Sequence, residues 1–413
     1  MQHARRPVTA AAQISLVDPG ACARGGPPHD QFAWLREHAP VFWHAEGGGP
    51  GWPGFWAVTR HADVTAVIRS PGIFSSVPRT AAFGEWGEAA VERMRVMMIN
   101  MDPPQHSRLR GLVSRGFTPR MIGDLRDHIA GICRGLLEDA ARRGEADFVA
   151  DIAAPLPAQV ICELAGARPQ DRDRMLGLSS RLAGFDDPEF SGPPDGQMHA
   201  VAEMFAIAAG LAQQRRAQPR DDLVTRLLQP DDAGRVLTDL EFSFFFLLLI
   251  VAGSETTRNA AAGGMLAFFD HPGQWQRLVA DPALAPSAAE EVVRWVSPAV
   301  LVRRTAVTDT ELAGQPIAAG DKVVAFLASA NRDEDVFTAP HHFDIGRDPN
   351  PHVGYGGGPH FCLGRHLAAL ELQALLTALA GKTPGIRPGG QVSRLRSNFL
   401  NGIKRMPVLL DTT

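Results

Sequence analysis

The chain has 413 residues, is 45% hydrophobic and carries a net charge of −4. That is apolar material for one large domain or two ordinary ones. The near balance of 41 Lys and Arg against 45 Asp and Glu, with no long basic run, argues against a nucleic-acid binder.

The opening stretch, MQHARRPVTAAAQISLVDPG, lacks the apolar core of a signal peptide. Residues 1–30 read as an irregular N-terminal arm ahead of a single domain that takes in the rest of the chain. FWAVTRHADVTAVI, near residue 55, begins like a strand and turns helical. Helical patterns dominate from about Met121 to Trp295, broken by Pro-, Gly- and Asp-rich loops at Gly184–Gly196 and Gln229–Gly234. TDLE, Thr238–Glu241, is a capping-box signature. Nothing stops the run behind it before Asp270, so one helix of about 31 residues, roughly 47 Å long, is expected to cross the molecule. Its most apolar part, Phe242–Ala252, is shorter than the ~20 residues of a membrane span, and a cytoplasmic protein with no membrane contact is expected. In SAAEEVVRWVSP, Ser287 and Glu290 read as a second capping box, closed by Pro298. LAGQPIAAGDKVVAFLASAN reads as short strands with Gly turns. The expectation is a mainly α protein with small β-sheets.

Three constellations carry chemistry. AGSETT, Ala252–Thr257, puts a glycine, an acid and two β-branched residues into an apolar helix. Thr256 can turn its hydroxyl onto the Ala252 carbonyl and bend the helix. The six residues allow a ligand-facing notch with an acid and an alcohol, or a plain kink with a solvated Glu. Glu291 and Arg294 lie three apart on one helix face, a spacing that is commonly a surface pair worth ~0–1 kcal/mol. HVGYGGGPHFCLGRHLAAL, His352–Leu370, sets three glycines ahead of Cys362 and a helix. A dinucleotide loop fails there, since Pro359 stands where a third glycine is needed. The glycines permit positive φ and close approach of a flat ligand. A cysteine before a helix N-terminus has its thiolate favoured by backbone N–H groups, which suits axial ligation of haem iron. The other cysteines, Cys22, Cys133 and Cys162, form no CxxC pair, so neither a zinc ribbon nor a disulfide scaffold is expected.

In this order and at these separations, the motifs resemble those of a bacterial soluble cytochrome P450. YGGGPHFCLG matches the haem-loop pattern F-x-x-G-x-x-x-C-x-G except that Tyr355 stands for Phe. EVVR matches the ExxR helix, AGSETT the oxygen-side notch, HSRLR (His106–Arg110) the HxxxR helix, and RRTAVTD places Arg304 at a propionate-binding position. FDIGR (Phe343–Arg347) resembles the loop that locks the ExxR pair.

The resemblance implies haem b between the long central helix and the helix after the Cys loop. Cys362 would be the iron ligand. His106, Arg110, Arg304 and His360 would hold the propionates, and Tyr355, Phe361, Gly364 and Ala252 would border the ring. Glu255 and Thr256 would move protons during catalysis, and Glu291, Arg294 and Arg347 would form a structural network. One oxygen atom of O2 would enter a C–H bond of an apolar small molecule. Electrons would come from a ferredoxin and its reductase, docked near Arg108, Arg115, Arg120 and Arg365 on a monomer.

GSETTRN, NMDPPQHSRLRGLVSRGFTP and SNFLNGIKRMPV resemble the group acting on sterols, methyl-branched lipids and terpenoids. Met94, Met97, Met98, Val251, Val300, Leu301 and Phe399 are the candidate pocket residues, though the methionines could equally be core. A polyketide or macrolide tailoring enzyme, a peroxygenase and a haem-thiolate protein without turnover are the alternatives. ETT argues against the peroxygenase.

Overall fold

The computed structural model describes residues 14–45, 54–193, 195–231, 233–383 and 385–411. The segment read as an irregular arm carries a helix, Pro19–Gly25, whose first turn is capped by the Asp18 side chain. A second helix, His29–His38, follows. The strand-then-helix reading near residue 55 corresponds to the strand Gly54–Val58 and the helix His61–Arg69. That strand lies in a five-stranded sheet ordered Val41–Ala45, Gly54–Val58, Lys322–Ala325, Val302–Ala306 and Phe74–Ser75. Gly54–Val58 runs parallel to Lys322–Ala325, and the other pairings are antiparallel.

The rest is helical and is organised around Asp239–Asp270, a helix of 32 residues. The capping box is present: the Thr238 hydroxyl accepts from the Glu241 N–H, and the Glu241 carboxylate accepts from the Thr238 N–H at 2.9 Å. This helix is long and apolar enough to cross a membrane, but most of its apolar stretch is buried inside the fold. Helices Pro155–Leu164, Arg172–Ala183, Gly196–Ala217, Ala285–Val296 and Arg365–Lys382 all pack on it. The approach of Ala285–Val296 is unusually close. A Cβ placed on Gly263 would sit 2.8 Å from the Val296 methyls, and one on Gly264 would sit 2.8 Å from a Val292 methyl. Only bare backbone lets the two helices meet there.

The second predicted capping box is not formed. Helix Ala285–Val296 starts two residues before Ser287, with Pro286 in its first turn, and the Ser287 hydroxyl donates back to the Leu284 carbonyl. Proline needs no N–H partner at that position, so it sets the start. Glu290 instead accepts from His352 Nε2 at 2.9 Å.

Helix Arg365–Lys382 buries Glu371, 2% exposed, with Oε2 making no hydrogen bond among the described residues. Burial pushes this carboxyl up to about 8 from 4.5. The folded chain therefore holds the proton more tightly than the unfolded one. Its stability is undiminished below about pH 4.5 and falls as pH rises towards about 8, by at most about 4–5 kcal/mol at 1.36 kcal/mol per unit. Glu371→Gln is expected to melt like wild type at pH 5 and progressively higher than wild type towards pH 8. A difference in melting temperature that stays constant across that range would contradict the raised carboxyl.

Candidate active site

The loop His352–Gly364 is shaped by contacts with two helices. Gly356 and Gly358 have φ of 71° and 60°, left-handed values that side chains resist. A Cβ on Gly358 would lie 2.5 Å from the Ile68 carbonyl oxygen. Part of the bare backbone thus serves a close approach to helix His61–Arg69 rather than to a ligand. The Cys362 N–H donates to the Tyr355 carbonyl at 2.9 Å and closes the loop. Helix Arg365–Lys382 begins three residues after the cysteine.

The Gly364 N–H, Arg110 and Arg365 all favour the Cys362 thiolate, as the helix N-terminus predicts, but desolvation outweighs them and the thiol is raised overall. A metal bound there has to displace a proton. Tyr355 is packed between His352, Phe361 and the Arg365 guanidinium, which lies 5.6 Å from its ring centre. Its hydroxyl is buried and finds no partner among the described residues, and burial holds its ionisation far above the usual tyrosine value.

Beside the loop the fold gathers four cationic or ionisable groups with almost no anion. The His106 and His360 rings are 4.3 Å apart. His106 Nδ1 and His360 Nε2 are buried without a hydrogen bond among the described residues. Arg304, on the strand Val302–Ala306, is buried and among the described residues donates only to the neighbouring Arg303 carbonyl, at 2.7 Å. Arg110 donates to the Phe361 carbonyl. Desolvation and then the Arg304 charge push His360 down to about 3. Desolvation and then Arg110 lower His106, and desolvation lowers Arg304 to about 10. Such a cluster is destabilised until carboxylates enter it. Two unpartnered imidazole nitrogens and two arginines next to a loop cysteine fit the two propionates and the iron of haem.

The third constellation lies on the central helix, Asp239–Asp270. Ala252 is exposed in the middle of this largely buried helix, and Val251 and Thr256 are half-buried. The Thr256 hydroxyl donates to the Ala252 carbonyl at 2.8 Å, as expected from the sequence. Glu255, 1% exposed, is committed elsewhere. It is ion-paired with Arg258 at 2.6 Å and accepts from Ser180 at 3.0 Å and Ser179 at 3.2 Å, both on helix Arg172–Ala183. Sequence reading missed these partners. Arg258 was available by its i,i+3 spacing, whereas the serines, some 75 residues away, left no local signal.

The pair Glu291 and Arg294 is fully buried. Arg294 donates twice to the Glu291 carboxylate, at 2.7 and 2.8 Å, and also to the carbonyls of Asn331, Pro340 and His342. Arg347 and Asn350 donate to Glu291 Oε2, at 3.1 and 3.3 Å. Removing one partner of such a pair typically costs ~3–5 kcal/mol. Arg294→Ala is therefore expected to lower the melting temperature steeply and to purify with little haem. A variant with a normal melting temperature and full haem content would contradict this.

The candidate pocket residues divide. Met94, Met97, Val251 and Phe399 are half-buried. Met98 is buried. Val300 and Leu301 are packed with Phe55 and Phe326 in a core cluster, and Leu301 has no accessible surface to offer a ligand.

The family profile described as Cytochrome P450 matches residues 283–380, which span the paired Glu291–Arg294 helix and the Cys362 loop. A steroid C26-monooxygenase from Mycolicibacterium smegmatis is 41% identical over 389 residues, 92% of this chain and 90% of that protein. A methyl-branched lipid omega-hydroxylase from Mycobacterium tuberculosis is 40% identical over 386 residues, 91% of this chain and 90% of that protein. The structure of a Mycobacterium marinum cytochrome P450 in complex with pseudoionone superposes with a TM-score of 0.89 at 37% identity, covering 98% of this chain and all of that one. With the orphaned imidazoles, the two arginines and the loop cysteine in place, these relationships lead to one conclusion: the chain belongs to the cytochrome P450 family and is a monooxygenase whose cofactor is haem b.

Proposed function

We propose that this enzyme hydroxylates an apolar sterol, methyl-branched lipid or terpenoid, as a cytoplasmic monomer supplied with electrons by a ferredoxin. The observation that carries the reading is likeness over nearly the whole chain to relatives named for steroid and methyl-branched lipid oxidation. The apolar character of the partly accessible Val251, Ala252, Met97 and Phe399 agrees with an apolar guest.

In this reading Cys362 would ligate the haem iron. His106, Arg110, Arg304 and His360 neutralise the propionates with charge-assisted bonds. Tyr355, Phe361, Gly364 and Ala252 border the ring. Bound haem supplies the oxygen-activating chemistry, which thiolate donation favours. Thr256 positions a proton-donating hydroxyl, and Glu255 feeds it.

The test is a titration of sterols, methyl-branched lipids, pseudoionone and macrolides for the low- to high-spin shift, followed by product analysis with NADH, a surrogate ferredoxin and its reductase. Response to macrolides alone would move the enzyme to polyketide tailoring. Turnover with hydrogen peroxide in place of the reductase would make it a peroxygenase.

The docking face in this reading carries Arg108, Arg115, Arg120 and Arg365. Arg108 is paired with Glu241 at the start of the central helix. Arg365 lies 3.7 Å from Glu290. Arg115 and Arg120 are exposed. Rim charges of this kind act mainly on the association rate. Electron transfer from an acidic ferredoxin is therefore expected to slow as salt rises, and more weakly so in Arg120→Ala. Rates indifferent to salt would remove this docking surface.

A further inference from the structure

The indole of Trp86 is a hydrogen-bond donor set in place without an acceptor. Its Nε1 is buried and makes no hydrogen bond among the described residues, although a buried tryptophan N–H usually finds a partner. The chain around it is firmly held. The neighbouring Glu85 is ion-paired with both Arg303 and Lys322, at 3.0 Å each, and Arg303 also donates to the Gly84 carbonyl at 3.1 Å. Both cations are 1% exposed. The indole folds back over Gly84, where a Cβ would lie 3.6 Å from Nε1. On its other side Phe185, just past helix Arg172–Ala183, meets the ring edge-on at 6.2 Å between centres.

These contacts put Trp86 where segments carrying the candidate guest residues come together. Its own segment leads on to Met94, and Asn100 ties the two ends of that segment, donating to the Met94 carbonyl at 3.0 Å and accepting from the Ala81 N–H at 2.9 Å. The loop of Phe185 is fastened to the C-terminal hairpin that bears Phe399. There the Arg396 N–H donates to Asp187 at 2.9 Å, its guanidinium donates to the Asp186 carbonyl, and Lys404 pairs with Asp187 at 3.0 Å.

An indole N–H donates and cannot accept. The group it fits is an acceptor oxygen, a carbonyl or hydroxyl carried by an otherwise apolar molecule. Such an oxygen gives up its hydrogen bonds to water on entering an apolar site, so one well-placed donor separates guests that carry it from guests that do not. A phenylalanine would keep the ring contact with Phe185 and bury no donor.

We propose that Trp86 Nε1 anchors a carbonyl or hydroxyl oxygen of the guest, which makes Trp86 a specificity-determining residue that favours oxygenated guests over plain hydrocarbons. The inference rests on the reading of the guest as an apolar sterol, lipid or terpenoid. It adds one polar contact to that reading, on a side chain that touches none of the groups assigned to haem.

The test measures dissociation constants of the haem-loaded enzyme from the spin shift, with equilibrium dialysis alongside, for two matched pairs of guests. One pair is pseudoionone, the ligand seated in the Mycobacterium marinum relative, and the triene that lacks its carbonyl. The other is cholestanone and cholestane. Each guest is compared between wild type and Trp86→Phe, so differences in solubility cancel. Trp86→Phe is expected to weaken each ketone about five- to tenfold more than its hydrocarbon partner, the scale of one buried hydrogen bond. Equal weakening of ketone and hydrocarbon, or none of either, would overturn the proposal and leave the indole as packing. Should Trp86→Phe not fold, the infrared carbonyl stretch of isotope-labelled pseudoionone bound to the wild type decides. A frequency below that in hexane supports the anchor, and the hexane value overturns it. If none of the four guests binds the wild type, the apolar-guest reading falls and the anchor with it; if ketone and hydrocarbon bind and respond alike, the anchor alone falls.

Discussion

Replacing Cys362 by His is expected to abolish the red-shifted carbon monoxide band of the reduced protein while leaving the fold and the propionate cradle in place. The band reports thiolate ligation, and no other cysteine can supply it. Cys133 and Cys162 are buried in helix packing, and desolvation pushes both thiols up to about 12. Cys22 is buried in the short helix Pro19–Gly25. Only Cys362 has the Gly364 N–H and two arginines favouring its thiolate. Imidazole in its place is a neutral ligand, so haem content should fall modestly whereas oxygenation should be lost. The check is a reduced carbon monoxide difference spectrum with a separate haem assay. A persistent band would show that the ligand had been misassigned.

Thr256→Ala is expected to bind haem and substrate normally and to fail at coupling. The Thr256 hydroxyl has one protein partner, the Ala252 carbonyl, so its loss removes a small polar group and opens no large cavity. Reduction should proceed, and NADH should still be consumed. If the hydroxyl serves proton delivery, its loss should raise peroxide and lower product. General acid–base groups contribute 10²–10⁴-fold, so the fall in product per NADH should lie at about that scale. NADH consumed, peroxide released and product formed are read from one assay. A product yield equal to wild type would return the threonine to the role of a helix kink.

The parts of the site visible in the sequence were those held by local spacing. The capping box at Thr238, the back-bonded Thr256 and the Glu291–Arg294 pair each depend on residues three or four positions apart, and helical geometry brings those together without help. The loop glycines were visible, but not all of their purpose: Gly358 meets Ile68, a contact made by the tertiary fold. Ser287 misled because Pro286 starts that helix earlier than the serine could. Val300 and Leu301 pack with Phe55 and Phe326 in a core cluster, a placement that their apolar character alone does not specify. The serines holding Glu255 belong to another helix altogether.

The contact at Gly263 and Gly264 has a consequence for how such an enzyme can diversify. The helix bearing Thr256 is pinned, backbone to side chain, by Val292 and Val296 of the helix that carries the Glu291–Arg294 pair. An alanine at either glycine would have to force the two helices apart, and Thr256 lies only two turns away along the same rod. Substitutions at Met94, Met97 or Phe399, the residues proposed to border the guest, carry no such penalty, since those half-buried side chains lie outside the pinned contact. Directed evolution towards a new guest should therefore accumulate changes at Met94, Met97 and Phe399. Positions 263 and 264 should stay silent however strong the selection.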